Sequence, residues 1–307
     1  MRLPKLHRLP SIPAALALVA LVLPALVAAA DPMTPELGVV PPLEHVIVVI
    51  MENKSYDVAR VQPYTAGLMK RGVTFTRSYA VTHPSQPNYM ALWAADLLGV
   101  LDNTCLAPGR RLTGENLGHA CEQAGIQWRA YSENLPAAGS DTCSSEGSAS
   151  SGLYTRKHEP WTNFGNLDHE RERPYTDLAA DLAAGRLPRL AFVIPNNCHN
   201  SHNSKDAGCD ARAADAWLAE ALPPLIAAAG PRGLVVLTWD EDDQHAANHI
   251  LTVFTGGAVT PGIVSARRIT HYTLVRTIGD GLGLEPFGLA ARETPIDSVW
   301  ATAAATR

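Results

Sequence analysis

The residues best suited to chemistry in this sequence are two polar pairs, each placed directly after an apolar run. The runs are 46–51 and 234–239, and the pairs that follow them are Glu52 with Asn53 and Asp240 with Glu241. Apolar runs of this length, rich in β-branched residues, are typical of strands buried on both faces of a parallel sheet. Open α/β sheets bind ligands beyond the carboxyl ends of such strands. The four oxygen-bearing side chains therefore predict a divalent metal ion, and Zn²⁺, Ca²⁺, Mg²⁺ and Mn²⁺ are all compatible.

Asp240 and Glu241 begin a run of four acids that ends at Asp243. Adjacent carboxylates repel one another unless water or a cation neutralises them, and those nearest a buried strand are the least able to stay solvated. Taken alone, the run is equally compatible with a solvated acidic turn. Its combination with Glu52 and Asn53 favours the metal site.

Ser85 is the candidate nucleophile. It lies in the segment THPSQPNYMALWAA, residues 82–95, where two prolines precede a predicted helix. A serine at or just before a helix N-terminus is well placed to hold a phosphate, but its hydroxyl needs a base or a metal to become nucleophilic. The spacing also allows Ser85 to be a turn or capping serine. The sequence contains no G-x-S-x-G motif, which argues against an esterase of the α/β-hydrolase type.

Histidines in polar loops or at strand edges form a further set of candidates. They are His83, His158, His199, His202, His245 and His249. Each could contact phosphate, act as a general acid or bind metal, but a single histidine is more often a surface residue. Two clusters are therefore retained, Lys157 with His158 and His199 with His202.

The first thirty residues have the pattern of a secretory signal peptide. A basic start (Arg2, Lys5 and Arg8) precedes an apolar stretch over 12–27 and the small residues 28–30. Two prolines interrupt the stretch and make a membrane anchor the less favoured alternative. We expect a secreted or periplasmic protein with one catalytic domain over 31–307 and no stable membrane anchor after cleavage.

Composition restricts the partners of the mature chain. The first thirty residues hold three bases and no acid, so the rest carries 22 bases against 30 acids. This balance argues against a nucleic-acid-binding surface. Export makes disulfides the expected state of the five cysteines. Cys198 and Cys209, which bracket a polar loop, are the first predicted pair, and one of the other three must be left over or pair between chains.

Strand and helix patterns alternate along the chain. Strands are predicted at 46–51, 73–79, 126–131, 190–194, 234–239 and 249–255, and helices at 63–71, within 82–95, from a Thr113 cap to Gly125, and at 176–184, 211–222 and 271–280. The alternation predicts an α/β fold, a three-layer sandwich with a mostly parallel central sheet. Residues 135–175 lack periodicity and predict a long functional or mobile loop.

Seven motif segments together resemble the bacterial phosphoesterase family that includes acid phosphatases and phospholipases C. They are MENKSYD, THPSQPNYMAL, YSENLP, RKHEPW, TWDEDD, NHILTVF and HYTLVRTI, in order over residues 44–285. The resemblance implies an alkaline-phosphatase-like fold and hydrolysis of phosphoric esters through a phosphoserine. The substrate would be a small phosphate ester or a phospholipid.

The resemblance also implies roles for individual residues. Glu52, Asn53, Asp240 and Glu241 match metal-binding positions, and Ser85 matches the nucleophile. Asn88, Lys157 and His83 are implied to contact substrate, and His158 and His202 to take part in catalysis.

The chain departs from the family pattern at one histidine. Asn200 and Asn203 flank His202 where the family usually has acids, which puts a second metal in doubt. An acid phosphatase is the favoured function. The alternatives are a phospholipase C or phosphodiesterase and, in another class, a secreted phosphate-binding protein without turnover.

Overall fold

The computed structural model of the chain describes residues 40–106, 111–145, 152–202 and 206–302. The predicted signal peptide and Asn203 lie outside the described residues. Across these ranges, no helix is both long and apolar enough to cross a membrane.

The apolar runs of the sequence form the centre of an eight-stranded sheet. The strands of the described residues, numbered in chain order, are β1 (His45–Met51), β2 (Val73–Tyr79), β3 (Trp128–Ser132), β4 (Ser144–Ser145), β5 (Tyr154–Thr155), β6 (Glu172–Pro174), β7 (Leu190–Ile194), β8 (Gly233–Trp239), β9 (His249–Thr255) and β10 (Val264–Thr270). The large sheet has the order β10-β2-β9-β8-β1-β7-β3-β6, and β4 and β5 form a separate hairpin. Within the large sheet, only the two pairings of β9 are antiparallel. The predicted mostly parallel α/β sheet is confirmed.

Helices cover both faces of this sheet. In the described residues they are α1 (Tyr56–Ala59), α2 (Pro63–Arg71), α3 (Ser85–Ala94), α4 (Leu117–Gln123), α5 (Thr176–Ala183), α6 (Ala211–Ala229) and α7 (His271–Leu282). Apolar side chains of α3, α4 and α7 pack in one core cluster, and those of α2, α5 and α6 pack in the cluster on the opposite face. The predicted three layers follow from this arrangement.

Several predicted boundaries were wrong for identifiable reasons. The N-cap of α4 is Asn116, whose side chain accepts from the N–H of His119, and not Thr113. Helix α6 continues past two prolines to Ala229, because Leu225 and Ala229 extend its buried face. Strand β10 was missed because it lies at the sheet edge and exposes alternate residues.

The predicted loop 135–175 is not structureless. It contains β4, β5 and β6 and three short 3-10 helices, Arg156–His158, Pro160–Asn163 and His169–Arg171. The first of these helices carries Lys157 and His158. The long segment therefore supplies ordered side chains to the site described below.

Two disulfide bonds hold loops of the described residues. The predicted pair Cys198–Cys209 is confirmed, and a second bond joins Cys105 to Cys143. Cys121 is free and buried, as expected for the one cysteine left over. Burial raises the pKa of its thiol to about 12, so it is a packing residue and not a reactive one.

Trp93 of α3 is the centre of the aromatic core behind the candidate nucleophile. Its ring centroid lies 5.0 Å from that of Trp128, 5.4 Å from Trp161 and 5.3 Å from Phe192. The side chain is fully buried. These contacts fix α3 against the sheet and so fix the position of its first residue, Ser85.

Trp93→Ala removes this packing and leaves a cavity. We expect the free energy of unfolding to fall by about 3–5 kcal/mol, measured by urea denaturation. The control, Leu101→Ala, alters a side chain that is 69% exposed and should change the value by less than about 0.5 kcal/mol. Equal effects of the two substitutions would contradict the packing assignment.

Candidate active site

The carboxyl ends of β1 and β8 lie side by side, because these strands are parallel neighbours. The N–H of Asp240 donates to the carbonyl oxygen of Met51 at 2.9 Å, and the N–H of Asn53 donates to Asp240 Oδ1 at 3.1 Å. Glu52 and Asp240 are fully buried, and Glu241 is nearly so. The structure thus brings the four side chains of the predicted metal set together at one edge of the sheet.

Ser85 is the first residue of α3 and lies between two of these carboxylates. Its Oγ is 3.1 Å from Glu52 Oε2 and 3.0 Å from Glu241 Oε1. A hydroxyl has one hydrogen, so it donates to one carboxylate at a time. The start of a ten-residue buried helix also favours negative charge at this oxygen and at a bound phosphate.

His83 joins the serine segment to the acidic segment. Its Nδ1 lies 2.5 Å from Glu241 Oε2, and its Nε2 lies 3.3 Å from Asp242 Oδ1. Asp242 in turn accepts N–H bonds from the turn that follows it. His83 therefore holds Glu241 against Ser85, while about a third of its side chain stays open to solvent.

The pKa values of the three buried carboxyl groups are shifted in different directions by their surroundings. Burial raises the pKa of Asp240 well above its ordinary value, and the charges of Glu52 and Glu241 raise it further. The pKa of Glu241 is raised by burial and by Glu52. Burial also acts to raise the pKa of Glu52, but the attraction of His158 and the neighbouring basic groups outweighs it and lowers the value strongly. Glu52 is therefore the carboxylate that stays ionised, and a bound cation would favour ionisation of the other two.

Buried oxygen atoms without a protein partner mark where such a cation fits. Among the described residues, Asn53 Oδ1 and Asp240 Oδ2 are buried and accept no hydrogen bond. Leaving acceptors unsatisfied in the interior costs free energy. An amide oxygen and several carboxylates are the donor set that hard divalent cations prefer. The residues present fit a divalent metal ion.

His158 and His202 lie on the other side of Glu52. His158 Nε2 is 2.9 Å from Glu52 Oε1, and one donor atom from each of the three residues lies within 4.8 Å of the others. Lys157 Nζ lies 3.0 Å from His202 Nε2. Burial lowers the pKa of both imidazoles, to about 4 for His202. This group offers N–H and ammonium donors to a phosphoryl oxygen, or a second place for a cation.

Two predicted site residues have other partners in the structure. Asn88 was expected to contact a phosphoryl oxygen, but its Oδ1 accepts from the N–H groups of Val81 and Thr82, and its Nδ2 donates to the carbonyls of Thr82 and Pro84. Both amide atoms are thus engaged in shaping the turn before Ser85. These bonds give Asn88 a positioning role, and its contact with a phosphoryl oxygen stays a prediction.

His199 is separated from His202. Its Nδ1 lies 2.8 Å from Glu133 Oε2, and Trp217 Nε1 donates to the other oxygen of Glu133 at 3.0 Å. The candidate cluster of His199 with His202 is therefore not formed, because the loop turns between them.

Sequence reasoning missed three residues that support the site. Tyr89 stacks on His158 with ring centroids 5.0 Å apart. The buried His271 donates from Nε2 to the carbonyl oxygen of Asp240 at 2.7 Å. Lys54 is partly buried next to Asn53. All three lie inside the conspicuous motif segments, but only the fold reveals which atoms they hold.

Lys54 ties the segment of Glu52 and Asn53 to the loop that carries His202. Its Nζ donates to the carbonyl oxygen of Ser201 at 2.6 Å and to that of Asn53 at 3.0 Å. Ser201 Oγ also donates to the carbonyl oxygen of Glu52 at 2.8 Å. These bonds fix the separation between Glu52 and His202.

Lys54→Met keeps the aliphatic stem of the side chain and removes the ammonium. We expect kcat for p-nitrophenyl phosphate to fall about ten- to a hundredfold, because small displacements of catalytic groups are costly. Lys70→Met, at an exposed lysine, is the matched control and should leave kcat unchanged. A Lys54→Met protein with normal kcat would show that this bond does not position His202.

The mixed, mostly parallel sheet flanked by helices is the arrangement expected of an alkaline-phosphatase-like fold, and the comparisons with known proteins agree. A protein in the alkaline phosphatase superfamily from Vibrio parahaemolyticus aligns with a TM-score of 0.57 at 11% identity, covering 79% of this chain and 67% of that chain. This likeness concerns the fold. The phosphoesterase family model matches residues 58–285, and the chain belongs to that family.

Two curated relatives are similar along much of the sequence. A phosphatidylinositol-3-phosphatase of Mycobacterium tuberculosis is 34% identical over 294 residues, covering 93% of this chain and 94% of that protein. A phosphate-repressible acid phosphatase of Penicillium chrysogenum is 27% identical over 249 residues, covering 78% of this chain but only 58% of that protein. The chain is an enzyme that hydrolyses phosphoric esters, as its motifs predicted.

Proposed function

We propose that the chain is a secreted, metal-dependent acid phosphatase that acts through a phosphoserine intermediate, with residues 31–307 as one catalytic domain. The observation that carries the proposal is the Ser85 hydroxyl. It lies between Glu52 and Glu241 at the start of a buried helix. The unpartnered oxygens of Asn53 and Asp240 belong to the same sheet edge.

The proposed metal ligands are Glu52, Asn53, Asp240 and Glu241. A divalent cation bound by them would supply Lewis-acid stabilisation of negative charge on Ser85 Oγ and on the phosphoryl group. It would also offset the repulsion among three buried carboxylates. The ion is Zn²⁺, Ca²⁺, Mg²⁺ or Mn²⁺, because carboxylate and amide oxygens bind each of these four ions.

The side chains of the site have separate tasks in the proposed reaction. Ser85 Oγ attacks phosphorus in line with the leaving oxygen, and its proton passes to a neighbouring carboxylate. Lys157 and His158 donate to the phosphoryl oxygens and hold the charge that the transition state spreads over them. His202, which is less buried than His158, protonates the leaving oxygen. Because burial lowers its pKa to about 4, it carries that proton at acid pH, the range in which an acid phosphatase works. Water then hydrolyses the phosphoserine.

The proposed substrate is a small phosphomonoester or a phospholipid headgroup. Acid phosphatases among the relatives support the first. The Mycobacterium tuberculosis relative, named for activity on a phosphatidylinositol phosphate, supports the second. Two disulfides and the signal-like sequence of residues 1–30 support export.

Ser85→Ala tests the nucleophile. We expect turnover of p-nitrophenyl phosphate to fall on the order of a thousandfold or more, with loss of the acid-stable phosphoprotein that wild type forms with ³²P-labelled substrate. The control is Ser78→Ala, which removes another buried hydroxyl, one that bonds to Thr252 away from the site. A Ser85→Ala enzyme with wild-type turnover would refute the mechanism. If the unmodified protein binds phosphate but hydrolyses no substrate, the binding-protein alternative is favoured.

Metal dependence is tested by removing the metal ion and by substituting one of its proposed ligands. Exhaustive chelation should abolish hydrolysis, and one divalent ion should restore it with a matching rise in bound metal by elemental analysis. Glu52→Gln keeps the shape of a ligand but not its charge, so we expect weaker metal retention and about a hundredfold loss of activity or more. The control Glu44→Gln, at an exposed glutamate, should retain both the bound metal and the wild-type activity. Full activity in protein proven free of metal would contradict the proposal.

A further inference from the structure

One surface, along the edge strand β10 and its neighbour β2, differs in charge from the rest of the chain. The whole sequence has 30 acids against 25 bases. By contrast, residues 56–79 and 260–270 contain a single acid, Asp57, and six bases, namely Arg60, Lys70, Arg71, Arg77, Arg267 and Arg268. The folded chain must hold these two basic segments close together, since β2 and β10 pair.

The two segments meet at a groove between the helices α1 and α2 and the start of the edge strand β10. The groove has a volume of about 490 Å³, and its lining includes Tyr56, Arg60, Met69, Lys70 and Val264. We name these five residues together with Arg268 the basic-apolar face. These residues come from three different elements and are brought together only when the chain folds.

A row of stacked rings fixes two of the guanidinium groups on this face. The Arg60 guanidinium lies 5.8 Å from the Tyr56 ring centroid, Tyr56 stacks on His249 at 4.7 Å, and His249 stacks on Tyr79 at 5.1 Å. Arg268 lies over Tyr79 at 4.7 Å. Each contact restrains long, flexible cations, which lowers the entropy cost of presenting them to a ligand.

The cations of the face are not fully neutralised by the protein. Asp57 pairs with Arg60, Nε to Oδ1, at 2.7 Å. Lys70 and Arg268 are exposed and form no ion pair with any described residue. The face therefore has an excess of positive charge on a protein that is negative as a whole.

Exposed aliphatic side chains lie next to these cations. Val264 is 68% exposed, and Val61, which follows Arg60, is 60% exposed. Single exposed valines are ordinary. Exposed valines beside a tyrosine and unpaired bases have the composition of a surface that inserts shallowly between lipid headgroups.

We propose that the basic-apolar face binds the surface of a membrane that contains anionic lipids. The bases complement the headgroup charge, and the exposed valines enter the boundary between headgroups and acyl chains, Val264 from the groove and Val61 from the position next to Arg60 in the chain. A nucleic acid fits less well, because its phosphates gain nothing from the valines and tight binding takes more phosphate contacts than this face offers.

The position of the face gives the contact a consequence for the site. Tyr56 follows Asn53 closely in sequence, and Tyr79 ends β2, from which the chain runs through His83 to Ser85. The end of the face with Tyr56 and Arg268 therefore lies toward the active edge of the sheet, and the end with Val264 and Lys70 lies toward the opposite ends of β2 and β10. The enzyme would be held at the surface where phosphoric esters of lipids are found.

Vesicle cosedimentation of the mature chain tests the proposal. We expect binding to vesicles of equal parts phosphatidylcholine and phosphatidylglycerol, little binding to phosphatidylcholine alone, and release at high salt. The double variant Lys70→Glu/Arg268→Glu should bind the anionic vesicles at least about tenfold more weakly. Val264→Ser should also weaken binding, although the net charge is unchanged. Both variants should hydrolyse p-nitrophenyl phosphate at the wild-type rate, which shows that they are folded.

The matched control is Arg232→Glu/Arg292→Glu, which makes the same charge change at exposed arginines outside the face. It should bind vesicles like wild type. The proposal is overturned if wild type does not prefer anionic vesicles, if the Lys70/Arg268 variant binds as wild type does, or if the control loses as much binding. Binding to heparin without a preference for anionic vesicles would assign the face to an acidic macromolecule and would also overturn it.

Discussion

Three carboxyl groups, those of Glu52, Asp240 and Glu241, are buried at one edge of the sheet, and those of Glu52 and Glu241 contact the hydroxyl of Ser85. Burying so much potential negative charge in one place is unfavourable unless protons, cations or hydrogen-bond donors compensate it. The surrounding structure supplies part of that compensation. The start of α3, His83, and His158 with Lys157 all approach the carboxylates from different directions.

The elements that carry these groups are held by unusually specific contacts. Strand pairing aligns the ends of β1 and β8, and the aromatic core around Trp93 fixes α3. The side chains of Asn88 and Lys54 are used to position the serine turn and the His202 loop. Several polar side chains of the site therefore serve to orient neighbouring groups. The side-chain oxygens Asn53 Oδ1 and Asp240 Oδ2 have no hydrogen-bond partner among the described residues and are available to a cation.

The sheet was predictable because its central strands are continuous apolar runs, and the polar residues after them had to converge once the strands were parallel. Which side chains contact one another could not be predicted from the sequence. Residue type and position in a polar loop do not distinguish His158, which contacts Glu52, from His199, which pairs with Glu133; only the motif resemblance selected His158. The positioning role of Asn88 was also not predictable, because a motif identifies a residue type but not the backbone groups that its side chain meets. The edge strand β10 lacked a signal, because only Ile269 in it is buried and its sequence has no apolar run like those of the central strands.

The central claim is that Glu52, Asn53, Asp240 and Glu241 hold the metal that Ser85 uses. The most direct measurement is anomalous diffraction from crystals of the active, metal-loaded enzyme, recorded on both sides of the absorption edge of the metal. The account predicts a peak at about 2.0–2.6 Å from Asn53 Oδ1 and Asp240 Oδ2 and next to Ser85 Oγ. A peak found only among Glu52, His158 and His202, or no peak in a fully active crystal, would contradict it.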